Sequence, residues 1–297
     1  MASPRADRID FTSMNRLFTL LLLCLSALPC QSEEKETVRV LTFNLRYINK
    51  QDLGWKMWTG RRDAVAELIK KDAADFIGVQ EAFRLMLDDV KARVPGYGEL
   101  GVGREDGKEK GEYSAILYRE AAWSVTASGT FWLSDTPEVV ASCTWGNKVT
   151  RICTWGRFKH KVSGRELFVF NAHMDHQSQP SREKAAALIL QRIRDRGSKA
   201  PVIVTGDFNV GPDNPVVAVM QKGPPVFTDA WLSLHKDTPA AESGTFHDFS
   251  GKQDGGHIDY IFSSPEITPL ESAILHDNKD GHYPSDHFPI RATLRLP

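Results

Sequence analysis

Short apolar runs rich in Val, Ile, Leu and Phe recur along most of the chain. Each suits a strand better than a helix. They lie at residues 38–43, 75–80, 113–118, 129–133, 150–160, 166–172, 202–204, 245–249, 257–263, 270–275 and 290–296. Helical spacing is confined to residues 58–71, 85–94 and 181–196, with a further helix opening at Pro215, a favoured first helical residue. Ser181 reads as the N-cap of the third helix, Glu183 lies in its first turn and Gly197 follows its end. Pro95-Gly96 stops the second helix, and residues 99–112 read as a Gly- and charge-rich loop. Strand runs interrupted by single helices predict a mixed α/β protein rather than a doubly wound parallel sheet. There are too many strands for one small sheet. Two mixed sheets packed face to face, with helices outside, is the economical arrangement.

The N-terminus is read apart from the rest. Met14-Asn-Arg16 precedes LFTLLLLCLSALP (residues 17–29) and a polar exit, the pattern of a secretory signal peptide. The apolar core is short for a membrane-spanning helix, which needs about 20 residues. Residues 1–32 are therefore expected to be a leader with an extended start, Met14 being a second candidate initiator. No repeat or linker divides residues 33–297, which are expected to form one domain. The expected location is secreted or periplasmic, with no membrane span in the mature chain and a monomer as the simplest assembly.

The formal net charge is -1. Removing the leader takes away Arg5, Arg8 and Arg16 but also Asp7 and Asp10, so the balance becomes 34 against 36, or -2. Such a chain has no global field for nucleic acid or an anionic membrane. Cys143 and Cys153 are the cysteines of the mature chain; in an oxidising compartment they could pair, or both could be buried thiols.

The apolar runs share a second property: polar groups stand at their ends. Asn44 follows LTF, Glu81 follows FIGVQ, His173 follows FVFNA, and Asp207 and Asn209 follow VIVTG. Asp259 stands beside YIF, and Asp286-His287 precede FPI. Residues i and i+2 of an extended chain share a side, so Asp207 and Asn209 can aim at one point. Taken singly, each has an ordinary reading: turn residue, surface acid, core histidine or cap. Their recurrence at comparable strand positions is what points to a site. Carboxylate and amide oxygens without cysteine suit Mg²⁺ or Mn²⁺ rather than structural zinc. HExxH, P-loop and GxSxG motifs are absent, which removes support for zinc proteolysis, P-loop NTP hydrolysis and α/β-hydrolase chemistry.

The series FNLRY, IGVQE, GEYSAILYR, NAHMDH, GDFN, HIDYIF and SDHFPI, in this order, resembles the endonuclease/exonuclease/phosphatase superfamily. That superfamily includes deoxyribonuclease I, abasic-site endonucleases, sphingomyelinases and inositol polyphosphate 5-phosphatases. The likeness runs from Val38 to about Leu296. It implies a four-layer α/β sandwich and phosphoester hydrolysis with Mg²⁺, or Mn²⁺ in its place. By position, Asn44 and Glu81 resemble the metal-site pair, with Glu81 a direct ligand, and Asp286 resembles a further ligand. Asp207 and Asn209 resemble the pair at the attacked phosphate, one positioning or deprotonating water and the other donating to a phosphate oxygen. His287 resembles the imidazole oriented by Asp259. His173 resembles the second histidine, and Glu112 the carboxylate that holds its tautomer. Either Asp207 or His287 serves as the base on this likeness. Arg46 and Arg182 suit phosphate contacts or salt bridges equally, and His257 and His282 read as exposed loop histidines rather than groups that tune the pH response or touch substrate.

The function expected from this reading is a secreted metal-dependent phosphodiesterase. A phosphomonoesterase on sugar or inositol phosphates is the alternative, and a non-catalytic binding module with this fold the second. The expected partner is a phosphoester: nucleic acid, a phospholipid headgroup or a small phosphodiester.

Overall fold

The computed structural model describes residues 1–2 and 36–297. Apart from its first two residues, the expected leader lies outside the described residues. In chain order the strands are β1 (Thr37–Asn44), β2 (Phe76–Ala82), β3 (Tyr97–Leu100), β4 (Tyr113–Arg119), β5 (Trp123–Trp132) and β6 (Ile152–His160). They continue as β7 (Glu166–His173), β8 (Val202–Asp207), β9 (Thr228–Asp229), β10 (Asp259–Ser263), β11 (Thr268–Ile274) and β12 (Ile290–Arg295). The helices are α1 (Trp58–Asp72), α2 (Arg84–Arg93), α3 (Gln179–Arg194), α4 (Pro215–Lys222) and α5 (Ala230–Leu234). Two six-stranded sheets result, ordered β11-β12-β1-β2-β4-β3 and β5-β6-β7-β8-β10-β9. Each is mixed: β1 runs parallel to β2, and β7 parallel to β8, among antiparallel neighbours.

Strand alternation builds the layers. In β1, Leu41 and Phe43 pack with Val65, Leu68 and Ile69 of α1 and Met86 and Leu87 of α2. In β7 and β8, Phe168, Phe170, Val202 and Val204 pack with Ile189 and Ile193 of α3 and Val216 and Met220 of α4. The opposite faces meet each other: Val38, Val40 and Phe76 of the first sheet pack with Val169, Ile203 and Ile261 of the second. The order is helix, sheet, sheet, helix, the expected four-layer sandwich.

The same alternation places the site. Continued along β1, the inward face passes from Val38 and Val40 to Thr42 and Asn44. In β2 it passes from Phe76 to Gly78 and Gln80, in β7 from Val169 to Asn171 and His173, and in β8 from Ile203 to Thr205 and Asp207. The space between the sheets is therefore apolar at one end and polar at the other. Midway, Gln80 Nε2 donates to Asn171 Oδ1 (2.7 Å) and Thr42 Oγ1 (3.2 Å), while Thr205 Oγ1 donates to Asn171 Oδ1 (3.1 Å). Gly78 makes room for this network: a Cβ there would lie 2.1 Å from Thr205 Oγ1.

Several boundaries differ from the sequence reading. Helix α3 begins at Gln179, not Ser181, with Ser178 as N-cap. Pro180 has no N–H to satisfy and fits the first turn, so the helix reaches further back, and Ser181 N donates to Ser178 Oγ. Residues 245–249 form no strand. Only an isolated bridge joins Phe246 to His287, because Asp248 (φ 46°) and Phe249 (φ 61°) turn the backbone left-handed. Strand β3 occupies the start of the expected loop at 99–112 and pairs with β4. Cys143 and Cys153 are both free thiols, the first exposed and the second buried in the core. No helix among the described residues is long and apolar enough to cross a membrane.

Candidate active site

The polar end of the sandwich opens into a cavity of about 480 Å³. Glu81, Glu112, His173, Asp207, Asn209, Asp286 and His287 all line it. Asn44 and Asp259 stand behind this wall, each fully buried. These nine residues thus converge on one place, from both sheets and from the loops that adjoin them.

Each is held differently. Asn44 donates from Nδ2 to Asp207 Oδ2 (2.9 Å) and accepts the Arg46 N–H at Oδ1 (2.9 Å). It thereby fixes Asp207 from the opposite sheet. Asp207 Oδ1 accepts the Asn209 N–H (2.9 Å), so this carboxylate both shapes the turn after β8 and faces the cavity. That turn places Asn209 at φ 53°, not in the extended geometry that i, i+2 alignment assumed. Glu81 (φ 59°) and Arg46 (φ 57°), which also line the cavity, share this left-handed backbone, uncommon for residues with a Cβ.

The surroundings of the two histidines push them in opposite directions. His287 Nδ1 bonds Asp259 Oδ2 at 2.8 Å, and its Nε2 lies 3.9 Å from Asp207 Oδ2. Burial disfavours charge on this ring, but the Asp259 charge and hydrogen bond, with Asp207 and Asp286, override it and raise His287 to about 10. His173 is held well below its ordinary range, by burial first and then by Arg151 and Arg104. Asn209 Nδ2 donates to the Met174 carbonyl (3.1 Å), which settles which end of that amide is nitrogen. The same nitrogen therefore donates to His173 Nε2 (3.1 Å), and the His173 proton belongs on Nδ1. Both Asn209 amide protons are engaged, so donation to a phosphate oxygen requires one of these bonds to open.

Glu112 departs from the role implied for it. Its carboxylate receives a bidentate pair from Arg104 (2.9 and 2.7 Å), and Oε2 stands 3.9 Å from His173 Nδ1, beyond hydrogen-bond range. The buried Nδ1 is left with no partner. Arg104 outcompetes the imidazole because a guanidinium fork matches both carboxylate oxygens.

Two places could hold a cation. Asp207, Asp259 and His287 offer ligand atoms all within 4.8 Å of one another. There, however, His287 is bonded to Asp259 and favours its proton, which opposes a metal. Glu81 and Asp286 form the other place. Burial and the Asp286 charge push the Glu81 carboxyl up, the signature of an anion short of positive partners. Tyr47 N donates to Glu81 Oε2 (2.8 Å), and Arg46 stands 3.3 Å from Asp286 Oδ2. Two carboxylates lining one cavity fit a hard divalent ion that keeps several waters.

Some lining residues had no role in the sequence reading: Tyr47, Arg104, Val149, Arg151, His176, Phe246 and Ile258. His176 ends the NAHMDH motif, so its position was signalled without a role. Arg104 sits in a long loop with no periodicity to mark it, and Arg151 lies in the strand run expected at 150–160 but just ahead of β6, which starts at Ile152. Arg46 keeps both of its expected contacts in play, pairing with Asp52 and Asp286 while lining the cavity. Arg182 donates to the Asp175 carbonyl and Gln179 and does not line the cavity. His257 is buried beside Trp231, not exposed, with Nδ1 2.7 Å from the Ser243 carbonyl. His282 is exposed and stacks on Trp55.

Residues 41–287 match the Endonuclease/Exonuclease/phosphatase family. An endonuclease/exonuclease/phosphatase from Bacteroides vulgatus is 36% identical, with a TM-score of 0.82, covering 89% of this chain and 100% of that one. A mannosyl-6-phosphatase from Bacteroides thetaiotaomicron is also 36% identical, with a TM-score of 0.80 over 87% of this chain and 100% of that chain. TDP2 from D. rerio, complexed with single-strand DNA product, is 19% identical with a TM-score of 0.70 over 88% of this chain and 100% of that one, a likeness of fold alone. Motif order, sandwich and the match across most of the sequence agree: the chain belongs to the endonuclease/exonuclease/phosphatase family of phosphoester hydrolases.

Proposed function

We propose that this protein is an exported, monomeric, Mg²⁺-dependent phosphomonoesterase acting on a small phosphorylated molecule of the sugar phosphate class. The observation that carries the reading is the size and lining of the cavity, about 480 Å³. The expected hydrolytic residues share its lining with loop residues Arg104, Val149, Arg151 and His176. Such a recess suits a small leaving group better than a duplex, which needs a long basic groove. The basic clusters outside it face other partners: Arg192 pairs with Glu138, and Arg196 with backbone carbonyls. The mannosyl-6-phosphatase of similar sequence supports the same substrate class. Export rests on the leader pattern; finding the protein in the cytoplasmic fraction would remove that part.

In this reading Glu81 and Asp286 hold Mg²⁺, with Mn²⁺ able to replace it. The ion supplies charge neutralisation at the phosphoryl oxygens. Asp207, fixed through Asn44, orients the attacking water and accepts its proton. His287, kept charged by Asp259, faces the developing negative charge and returns a proton to the leaving oxygen. Neutral His173, with its Nε2 tied to Asn209, props the turn that carries Asp207 and Asn209.

A phosphodiesterase is the second reading. Phe246 favours it: the ring is 38% exposed and meets His287 edge-on at 5.1 Å, an apolar rest for a second ester group. Hydrolysis of hexose 6-phosphates, p-nitrophenyl phosphate and bis(p-nitrophenyl) phosphate would be compared with Mg²⁺, Mn²⁺ and EDTA. Metal-dependent monoester turnover, abolished by Asp207→Ala, is expected. Turnover of the diester alone would move the assignment to the second reading. Silence on all three, with no rise in Tm on adding Mg²⁺, would leave a binding module.

A further inference from the structure

Part of the cavity lining has an unusual make-up. Arg151, just before β6, is 4% exposed, and His176, in the loop between β7 and α3, is exposed; both line the cavity. Arg151 Nη2 lies 2.9 Å from His176 Nδ1. A guanidinium can only donate, so Nδ1 accepts and the His176 proton belongs on Nε2. Burial and the neighbouring Arg151 both hold His176 below its ordinary range, in agreement with a neutral ring. The buried Arg151 Nε has no hydrogen-bond partner among the described residues.

Each arginine of this wall has its own counter-ion. Arg104 is paired bidentately with Glu112, and Arg151 Nε stands 3.7 Å from Asp175 Oδ2. The wall thus presents N–H donors with little net charge. A second anion on the substrate would gain little there, whereas uncharged hydroxyl oxygens would find donors. Val149, Ile258 and Phe246 line the same cavity and offer it apolar surface. A ring with hydroxyls around its edge and C–H groups on its face has that combination.

We propose that Arg151 and His176 are specificity-determining residues that donate hydrogen bonds to hydroxyl oxygens of the leaving alcohol, selecting a polyhydroxylated phosphate ester over an aryl one. The proposal rests on the phosphomonoesterase reading. Glucose 6-phosphate, mannose 6-phosphate and p-nitrophenyl phosphate would be compared on the Mg²⁺-loaded full chain, wild type against His176→Leu, His176→Gln and Arg151→Lys. The readout is the ratio of kcat/KM for each hexose phosphate to that for p-nitrophenyl phosphate. In His176→Leu this ratio is expected to fall roughly tenfold, the worth of one hydrogen bond to a neutral group. His176→Gln, whose amide still offers a donor, is expected to recover part of it, and Arg151→Lys to lower it. Thermal melting would show that each variant is folded; His176 is exposed, so its variants carry the test if Arg151→Lys fails to fold. A ratio unchanged within twofold in His176→Leu overturns the proposal, even if both activities fall together. Failure of the underlying reading looks different: the wild-type protein itself would show no preference for either hexose phosphate, or no monoester turnover at all.

Discussion

Asp259 shows how much chemistry one buried side chain can direct without touching substrate. It is 1% exposed, it bonds His287 through Oδ2, and its Oδ1 has no partner. Replacement by Asn keeps the shape but removes the charge that holds the His287 proton. Asp259→Asn is expected to lower kcat by roughly 10²-fold or more with little change in fold. A kcat within threefold of wild type, measured on the preferred monoester, would remove Asp259 from the site. This pair was legible in the sequence because each partner lies in a motif of fixed order. The partner of Glu112 was not. Nothing in GEYSAILYR indicates that Arg104, eight residues earlier in a glycine-rich loop, would take both of its carboxylate oxygens. A residue's neighbour in space is set by how a loop folds back, and that information is spread over many weak contacts.

Strands were read more accurately than their ends, and helix starts less well than helix faces. The reason is physical: the two-residue period is repeated along each strand, whereas a boundary depends on one or two local competitors such as Ser178 against Ser181. Elements too short to show a period, β9 and α5, escaped altogether. Their junction nonetheless contains a titrating cap. Asp229 Oδ1 accepts the N–H groups of Trp231 and Leu232, while Oδ2 is buried without a partner. Burial raises this carboxyl to about 7 despite those two bonds. Because the folded state holds the proton more tightly than the unfolded chain, Asp229 contributes stability that is full below the ordinary carboxylate range. That contribution is lost as pH rises through about 7. Its size is up to about 4 kcal/mol. Asp229→Asn keeps the cap and removes the charge. Its urea unfolding free energy should therefore change less than the wild type's between pH 5 and pH 8. Equal changes in the two proteins would show that Asp229 does not titrate in this range.

Taken as a whole, the molecule is two slabs whose facing surfaces change from oil to water along their length. Alternation made that legible from residues 38–44, 76–80, 167–173 and 203–207 alone. What alternation could not supply is the spacing between the slabs, which depends on Gly78 and the Gln80–Asn171–Thr205 network. Gly78→Ala is expected to cost about 2 kcal/mol, the usual penalty of overpacking a filled interior. It should also reduce turnover, although Gly78 does not line the cavity. Differential scanning calorimetry and steady-state kinetics on one preparation would check both effects; a variant with wild-type Tm would show that the interior has slack there. The hydrogen bonds from Asn44 to Asp207 and from His287 to Asp259 span the same gap as that network. The reacting groups are thus divided between two bodies, like the jaws of a caliper, and the opening of the jaws is set by packing far behind the tips. Any agent that slides or spreads one sheet against the other, whether pressure, a denaturant below its unfolding midpoint or a bulky interior substitution, becomes an inhibitor without ever entering the cavity.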